Sequence, residues 1–192
     1  MRGRPAKLIS PADQRRIRRH LASRPTADRD QVIVLLTVKA GLRACEVSAL
    51  RWSMVTRPDG ELAQHIELPP QAAKRGGGRR IPLHPELRQA LRLLAPRRAD
   101  RVGPVVRSRR GGPMTAKSLV NWFTRLFAEL QFAGCSSHSG RRSFITAAAR
   151  QLPKSGGSLR DVQLLAGHRS IQTTQGYIDG DELAQRRLIR LI

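Results

Sequence analysis

An α+β fold, mostly helical with one small antiparallel sheet, is what the sequence predicts, on three observations. Apolar residues recur at helical spacing behind recognisable caps over most of the chain. Between Met54 and Leu83 the pattern changes to polar–apolar alternation interrupted by turn residues. Helical spacing then returns and holds to the carboxyl end.

Ser10-Pro11-Ala12-Asp13 reads as a helix start, a hydroxyl cap followed by proline at the first helical position. That helix runs through IRRHLAS and stops before Pro25. The next, from about Asp28 through VIVLLTVKA, has few polar positions and ends at Gly41, which places it in the core. A short helix begins near Arg43 and carries ACEVSAL. MVTRPDGELAQHIELPP and RRIPL then alternate, separated by Pro58-Asp59-Gly60 and by KRGGGRR, which predicts two hairpins and about three strands. Pro85 precedes the helix ELRQALRLLA, and a loop rich in Arg, Gly and Pro follows.

Thr115 caps KSLVNWFTRLFAEL, whose Leu119, Trp122, Phe123, Leu126, Phe127 and Leu130 form an apolar stripe. HSGRRSFITAAARQL is predicted as a helix and PKSGGS as a loop. Ser158 and Asp161 make a capping pair opening SLRDVQLLAG, and Gly167 stops it. A short helical turn carries Tyr177, and Asp179 and Asp181 open a final helix. The organisation predicted is one domain over 1–192, with a basic, flexible amino terminus at 1–9 and a carboxyl-terminal helix at 181–192.

At 192 residues the chain is long enough to bury a real core, and 40% of it is hydrophobic. Lys and Arg number 36 against 14 Asp and Glu, a formal charge of +22. Such self-repulsion favours a polyanionic partner, and nucleic acid leads. A membrane surface would call for a basic amphipathic segment with aromatic anchors, and the chain has none. No apolar run approaches the ~20 residues of a membrane span, and MRGRPAKLISPADQ lacks the apolar centre of a secretory signal. With only Cys45 and Cys135, neither a disulfide framework nor a zinc knuckle is indicated, which fits a reducing, cytoplasmic interior.

The chemistry such a chain can do on DNA follows from its residue types. Cleaving a phosphodiester without a metal needs an in-line nucleophile, cations around phosphorus and a proton donor for the departing oxygen. Tyr177 is the one tyrosine in the chain. A phenol, with an ordinary pKa of about 10, attacks well only where positive charge or a base favours the phenolate. Arg141 lies three residues after His138, so both share one face of a predicted helix. Arg43, just past Gly41, and His168, at the end of another helix, are further donor candidates. Arginine suits the task because its planar fork holds two phosphate oxygens at once. Of five lysines only Lys74 sits at a predicted hairpin tip. Arg75, Arg79 and Arg142 are candidate DNA contacts. Taken singly, each of these side chains also has a plain reading as a packed tyrosine, a helix-end histidine or a solvated arginine.

Together, and in this order, they resemble the tyrosine recombinase, or phage integrase, family from about Ser10 onward. AGLRACEVSALRW is similar to the family's first arginine box, QAAKRGGGRRIPL to its lysine hairpin, SHSGRRSFITAAA to its His-x-x-Arg box and LLAGHRSIQTTQGYI to its closing box. The resemblance implies that Tyr177 attacks a scissile phosphate, leaving a 3′-phosphotyrosyl link and a free 5′-hydroxyl. It makes Arg43, Arg141 and His168 phosphate ligands, Lys74 the donor to the leaving oxygen and His138 an aid to phenol deprotonation, with Glu46 steadying the site. It further implies that neither metal nor ATP is required, that the partner is double-stranded DNA, and that a homo-oligomer, a tetramer, assembles on it with 181–192 docking in trans. A bacterial or phage-encoded, nucleoid-associated protein is the matching setting.

Arg43 comes early for a chain with the family's separate amino-terminal clamp domain, so the resemblance is to its short forms or to a catalytic fragment. A type IB topoisomerase-like strand relaxer and a non-catalytic DNA-binding accessory are the alternative readings. The short length and compact His-x-x-Arg box favour the recombinase over the first, and the full set of catalytic residue types over the second.

Overall fold

The computed structural model describes residues 6–73, 77–95, 102–177 and 189–190. The predicted hairpin tip with Lys74 and Arg75, residues 1–5 of the predicted basic amino terminus, and all but two residues of the predicted final helix at 181–192 lie outside them. Eight helices are described: α1 (Pro11–Ala22), α2 (Ala27–Val38), α3 (Ala44–Ala49), α4 (Pro85–Leu94), α5 (Ala116–Glu129), α6 (Ser139–Ser155), α7 (Leu159–Ala166) and α8 (Ile171–Gln175). Two strands, β1 (His65–Leu68) and β2 (Arg79–Pro82), pair antiparallel with Ile66 opposite Ile81 and Leu68 opposite Arg79. The predicted fold class holds: a mostly helical domain with a small antiparallel sheet. No described helix is long and apolar enough to cross a membrane.

The caps act as their residue types dictate. Ser10 accepts the Asp13 N–H while Asp13 reaches back to Ser10, and Ser158 and Asp161 repeat the exchange at α7. The central helix is α2, with Val32, Ile33, Leu36 and Val38 buried among α1, α4 and α6. Its last turn meets the first turn of α6 at very short range. A Cβ on Gly140 would lie 2.2 Å from Thr37 Oγ1 and 2.7 Å from Thr37 Cβ, so only glycine lets the two backbones approach this closely. The stripe of α5 buries Leu119, Trp122, Phe123, Leu126 and Phe127, and α5 packs on α3. A second, smaller cluster of Ile145, Val162 and Ala166 joins α6 to α7, with Tyr177 packed at its edge.

Two segments differ from expectation. Among the described residues the sheet has two strands rather than about three, because the residues before the Pro58-Asp59-Gly60 turn wind into a 3-10 turn at Trp52–Met54. That leaves a lone bridge between Thr56 and Leu62 where a hairpin was expected. The segment PKSGGS is not all loop. α6 continues through Pro153 to Ser155 and ends at Gly156, whose φ of 67° reverses the chain. Pro153 forfeits its bond to the Ala149 carbonyl, and the helix runs only two residues beyond it, to Ser155.

Candidate active site

The site forms where the ends of α2, α6 and α7 meet the start of α3 and strand β2. Gly41 closes α2 with φ of 64°, and a Cβ there would strike Phe144 of α6 at 2.4 Å. Chain reversal delivers Arg43 to the N-cap of α3 in extended conformation. Glu46, at the third position of α3, is fully buried and accepts from the Arg43 backbone N–H and Arg43 Nη1, both at 2.9 Å. The same carboxylate accepts a two-pronged contact from Arg79, Nη1 at 3.0 Å and Nη2 at 2.9 Å. Burial by itself would raise the Glu46 pKa. The hydrogen bonds and charge of Arg79, then those of Arg43, outweigh it and hold the pKa at about 2.

Arg141 sits in the first turn of α6 with 3% of its surface exposed. Its Nη1 donates to the Gly41 carbonyl at 2.6 Å and its Nη2 to the Ala166 carbonyl at 2.7 Å. Burial, and then repulsion from Arg43, lower its pKa to about 10, so it stays a cation at neutral pH. Gly167 ends α7 with φ of 63° and turns the chain so that His168 faces the two arginines. Its Nδ1 is 3.0 Å from Thr174 Oγ1, and its carbonyl accepts from Gln163 Nε2 at 2.9 Å. Burial, then the charges of Arg141, Arg43 and Arg79, bring the His168 pKa down to about 4. The imidazole is therefore neutral at pH 7.

Tyr177 follows α8 after Gly176. Its ring stacks on that of His168, 5.5 Å between centroids with 22° between planes, and the phenol lies within electrostatic reach of Arg141. The ring is half-buried rather than sealed in the interior. His168 also lines a cleft of about 340 Å³, together with Arg43, Gly77, Gly167, Arg169, Ser170 and Thr173. Two guanidiniums, an imidazole and a phenol thus converge, a set able to hold an anion and present a nucleophile to it. Among the described residues no three His, Cys, Asp or Glu side chains gather as metal ligands.

Of the predicted site residues, Arg43, Glu46, Arg141, His168 and Tyr177 come together here. His138 stands at the exposed N-cap of α6, one turn before Arg141, with Nδ1 3.5 Å from Ser137 Oγ. Lys74 and Arg75 fall outside the described residues; Gly77, three positions after Lys74, lines the cleft. Arg142, expected on DNA, is half-buried and donates to the Ala6 carbonyl at 2.7 Å. Arg79, also expected on DNA, has a side chain only 6% exposed. The pleat explains it, since residues two apart share a face and Arg79 points inward with Ile81. Thr174 and Gln163, which orient His168, went unmarked in the sequence because their roles depend on the turn at Gly167.

The Phage integrase family profile matches residues 7–183. Tyrosine recombinase XerC of Mesorhizobium japonicum is 30% identical over 167 residues, covering 84% of this chain and 50% of its own. XerC of Xylella fastidiosa strain 9a5c is 31% identical over 154 residues, covering 80% of this chain and 49% of its own. The chain thus spans about half the length of these curated relatives. Among solved structures, XerA recombinase superposes with a TM-score of 0.74 at 21% identity, over 97% of this chain and 65% of that one. The Tn1549 transposon integrase in complex with transposon right end DNA gives 0.71 at 19%, over 99% and 67%. A lambda integrase dimer bound to a COC′ core site gives 0.68 at 17%, over 93% and 61%. These likenesses establish the fold, and the family profile with the relatives establishes descent: the chain belongs to the Phage integrase family, as a tyrosine recombinase catalytic domain.

Proposed function

We propose that this chain breaks and rejoins DNA strands through a phosphotyrosyl intermediate on Tyr177. The observation that carries the reading is the half-exposed Tyr177 ring stacked on His168 beside the buried cation Arg141. The phenolic oxygen of Tyr177 attacks phosphorus, and the bond from phosphorus to the 5′ oxygen breaks. Lys74 protonates the departing oxygen and His138 takes the phenol proton. The products are a 3′-phosphotyrosyl link and a free 5′-hydroxyl. A second strand's 5′-hydroxyl reverses the step, and because one phosphodiester replaces another, no ATP is consumed.

Arg43 and Arg141 hold the non-bridging oxygens. His168 works as a neutral donor in the tautomer that accepts the Thr174 hydroxyl proton at Nδ1 and carries its own proton on Nε2. Donors aimed at charge that builds up in the transition state contribute about 10²–10³ each. The partner is double-stranded DNA, a reading supported by the +22 charge and by the DNA-bound state of the Tn1549 and lambda integrase structures. Assembly as a homotetramer on DNA, with 181–192 docking on a neighbouring protomer, belongs to the same proposal.

A nicked suicide substrate tests it, because the freed 5′ fragment diffuses away and traps the covalent complex. The chain should form an adduct that survives denaturing electrophoresis, and Tyr177→Phe should form none. An adduct persisting in the Phe variant would sink the assignment.

A further inference from the structure

One buried cation has no part in the chemistry above. Arg79 turns inward from β2, and its guanidinium meets both oxygens of Glu46 at 3.0 and 2.9 Å while Nε donates to the Leu165 carbonyl at 3.0 Å. Each Glu46 oxygen accepts one bond from Arg79 and one from Arg43. The Arg79 fork therefore fixes the plane of the carboxylate, and the carboxylate in turn fixes Arg43. At its other edge the guanidinium fills the space that Gly167 leaves open. A Cβ on Gly167 would stand 2.9 Å from Arg79 Nη1 and 3.0 Å from Arg79 Cδ.

We propose that Arg79 is a positioning residue for strand cleavage, aiming Arg43 through Glu46 and fixing, through the Leu165 carbonyl and the Gly167 turn, the end of α7 from which His168 projects. A single guanidinium thereby brings the lysine hairpin, the first arginine box and the closing box into one register. The inference rests on the strand-breaking reading. Lysine cannot replace this arginine, because a point charge on a flexible stem can satisfy one oxygen but cannot hold a carboxylate plane.

The test compares the unaltered chain, Arg79→Lys and Arg79→Gln in three measurements: the single-turnover rate of adduct formation on the suicide substrate, the salt dependence of DNA affinity, and thermal stability. Arg79→Lys keeps the charge and most of the stem, and secures the comparison if the Gln variant fails to fold. The rate with Arg79→Lys should fall about 10- to 100-fold, the scale of a misplaced catalytic geometry, with DNA affinity unchanged. In a Glu46→Gln background, where the aim of Arg43 is already lost, Arg79→Lys should lower the rate by less than it does alone, leaving only the share that runs through the Leu165 carbonyl and the Gly167 turn. An unaltered rate in Arg79→Lys overturns the inference, as do losses that multiply in the double variant, the mark of a merely structural part. So does a salt slope reduced by about one in Arg79→Gln, the mark of a phosphate contact. If the unaltered chain forms no adduct, the recombinase reading falls and this inference with it; each of the other failures leaves that reading standing.

Discussion

Acidification from pH 7 to pH 5 probes the electrostatics of the site through His168. Burial, followed by the charges of Arg141, Arg43 and Arg79, takes its pKa from 6.5 to about 4. The unfolded chain therefore binds this proton near pH 6.5, whereas the folded chain resists it until near pH 4. The stability contributed by keeping His168 neutral is complete above the unfolded pKa and is lost as pH falls from 6.5 towards 4. For one such group the linkage relation gives a loss of about 2 kcal/mol between pH 7 and pH 5. Glu46 does not enter this window, since its own loss begins below 4.5 and runs down to about 2. His84 is lowered too, by burial first and Lys39 second, and a matched variant subtracts its share. The assay is urea unfolding at pH 7, 6 and 5 for the parental chain and for His168→Gln. The parental chain should lose about 2 kcal/mol more than the variant over that range. Equal losses in the two chains would refute the placement of a neutral imidazole among three guanidiniums.

Gly41→Ala combines a strained φ with a Cβ driven to 2.4 Å from Phe144 Cδ1. Gly60→Ala carries the strain alone, with nothing within 4 Å. The second should cost about 1–2 kcal/mol and the first about 1–3 kcal/mol more, so thermal melts should place Gly41→Ala several degrees below Gly60→Ala. Equal midpoints would remove the steric account of the α2–α6 junction. Affinity for duplex DNA should drop about a thousandfold or more between about 50 and 200 mM salt, as released counterions require when many phosphates are neutralised. Fluorescence anisotropy titrations reporting a flat affinity would contradict the charge-driven contact.

Much of this was legible in the residues themselves. The caps Ser10, Thr115 and Ser158 and the stops Gly41 and Gly167 are local signals with local causes, and the helices follow them. The order of boxes marked Arg43, Arg141, His168 and Tyr177, because each box carries its residue at fixed spacing within a few positions. Arg79 shows where local reading ends. Expected on DNA, it turns inward with Ile81 instead, to a carboxylate 33 residues away on another element. No spacing rule reports that pairing. The neutrality of His168 was hidden for the same reason, since the charges that enforce it come from three separate segments. Pro153 was misleading because the helix outlasts it by two residues before Gly156 reverses the chain.

The anchoring of Arg141 has a consequence for how this scaffold tolerates change. Its two donors rest on main-chain oxygens, those of Gly41 and Ala166, rather than on acidic side chains. No substitution deletes a peptide carbonyl. Neighbouring side chains are therefore free to drift without loosening the cation, provided the two reversals keep their shape. The durable element here is the path of the chain, with its vulnerability concentrated in Gly41 and Gly167.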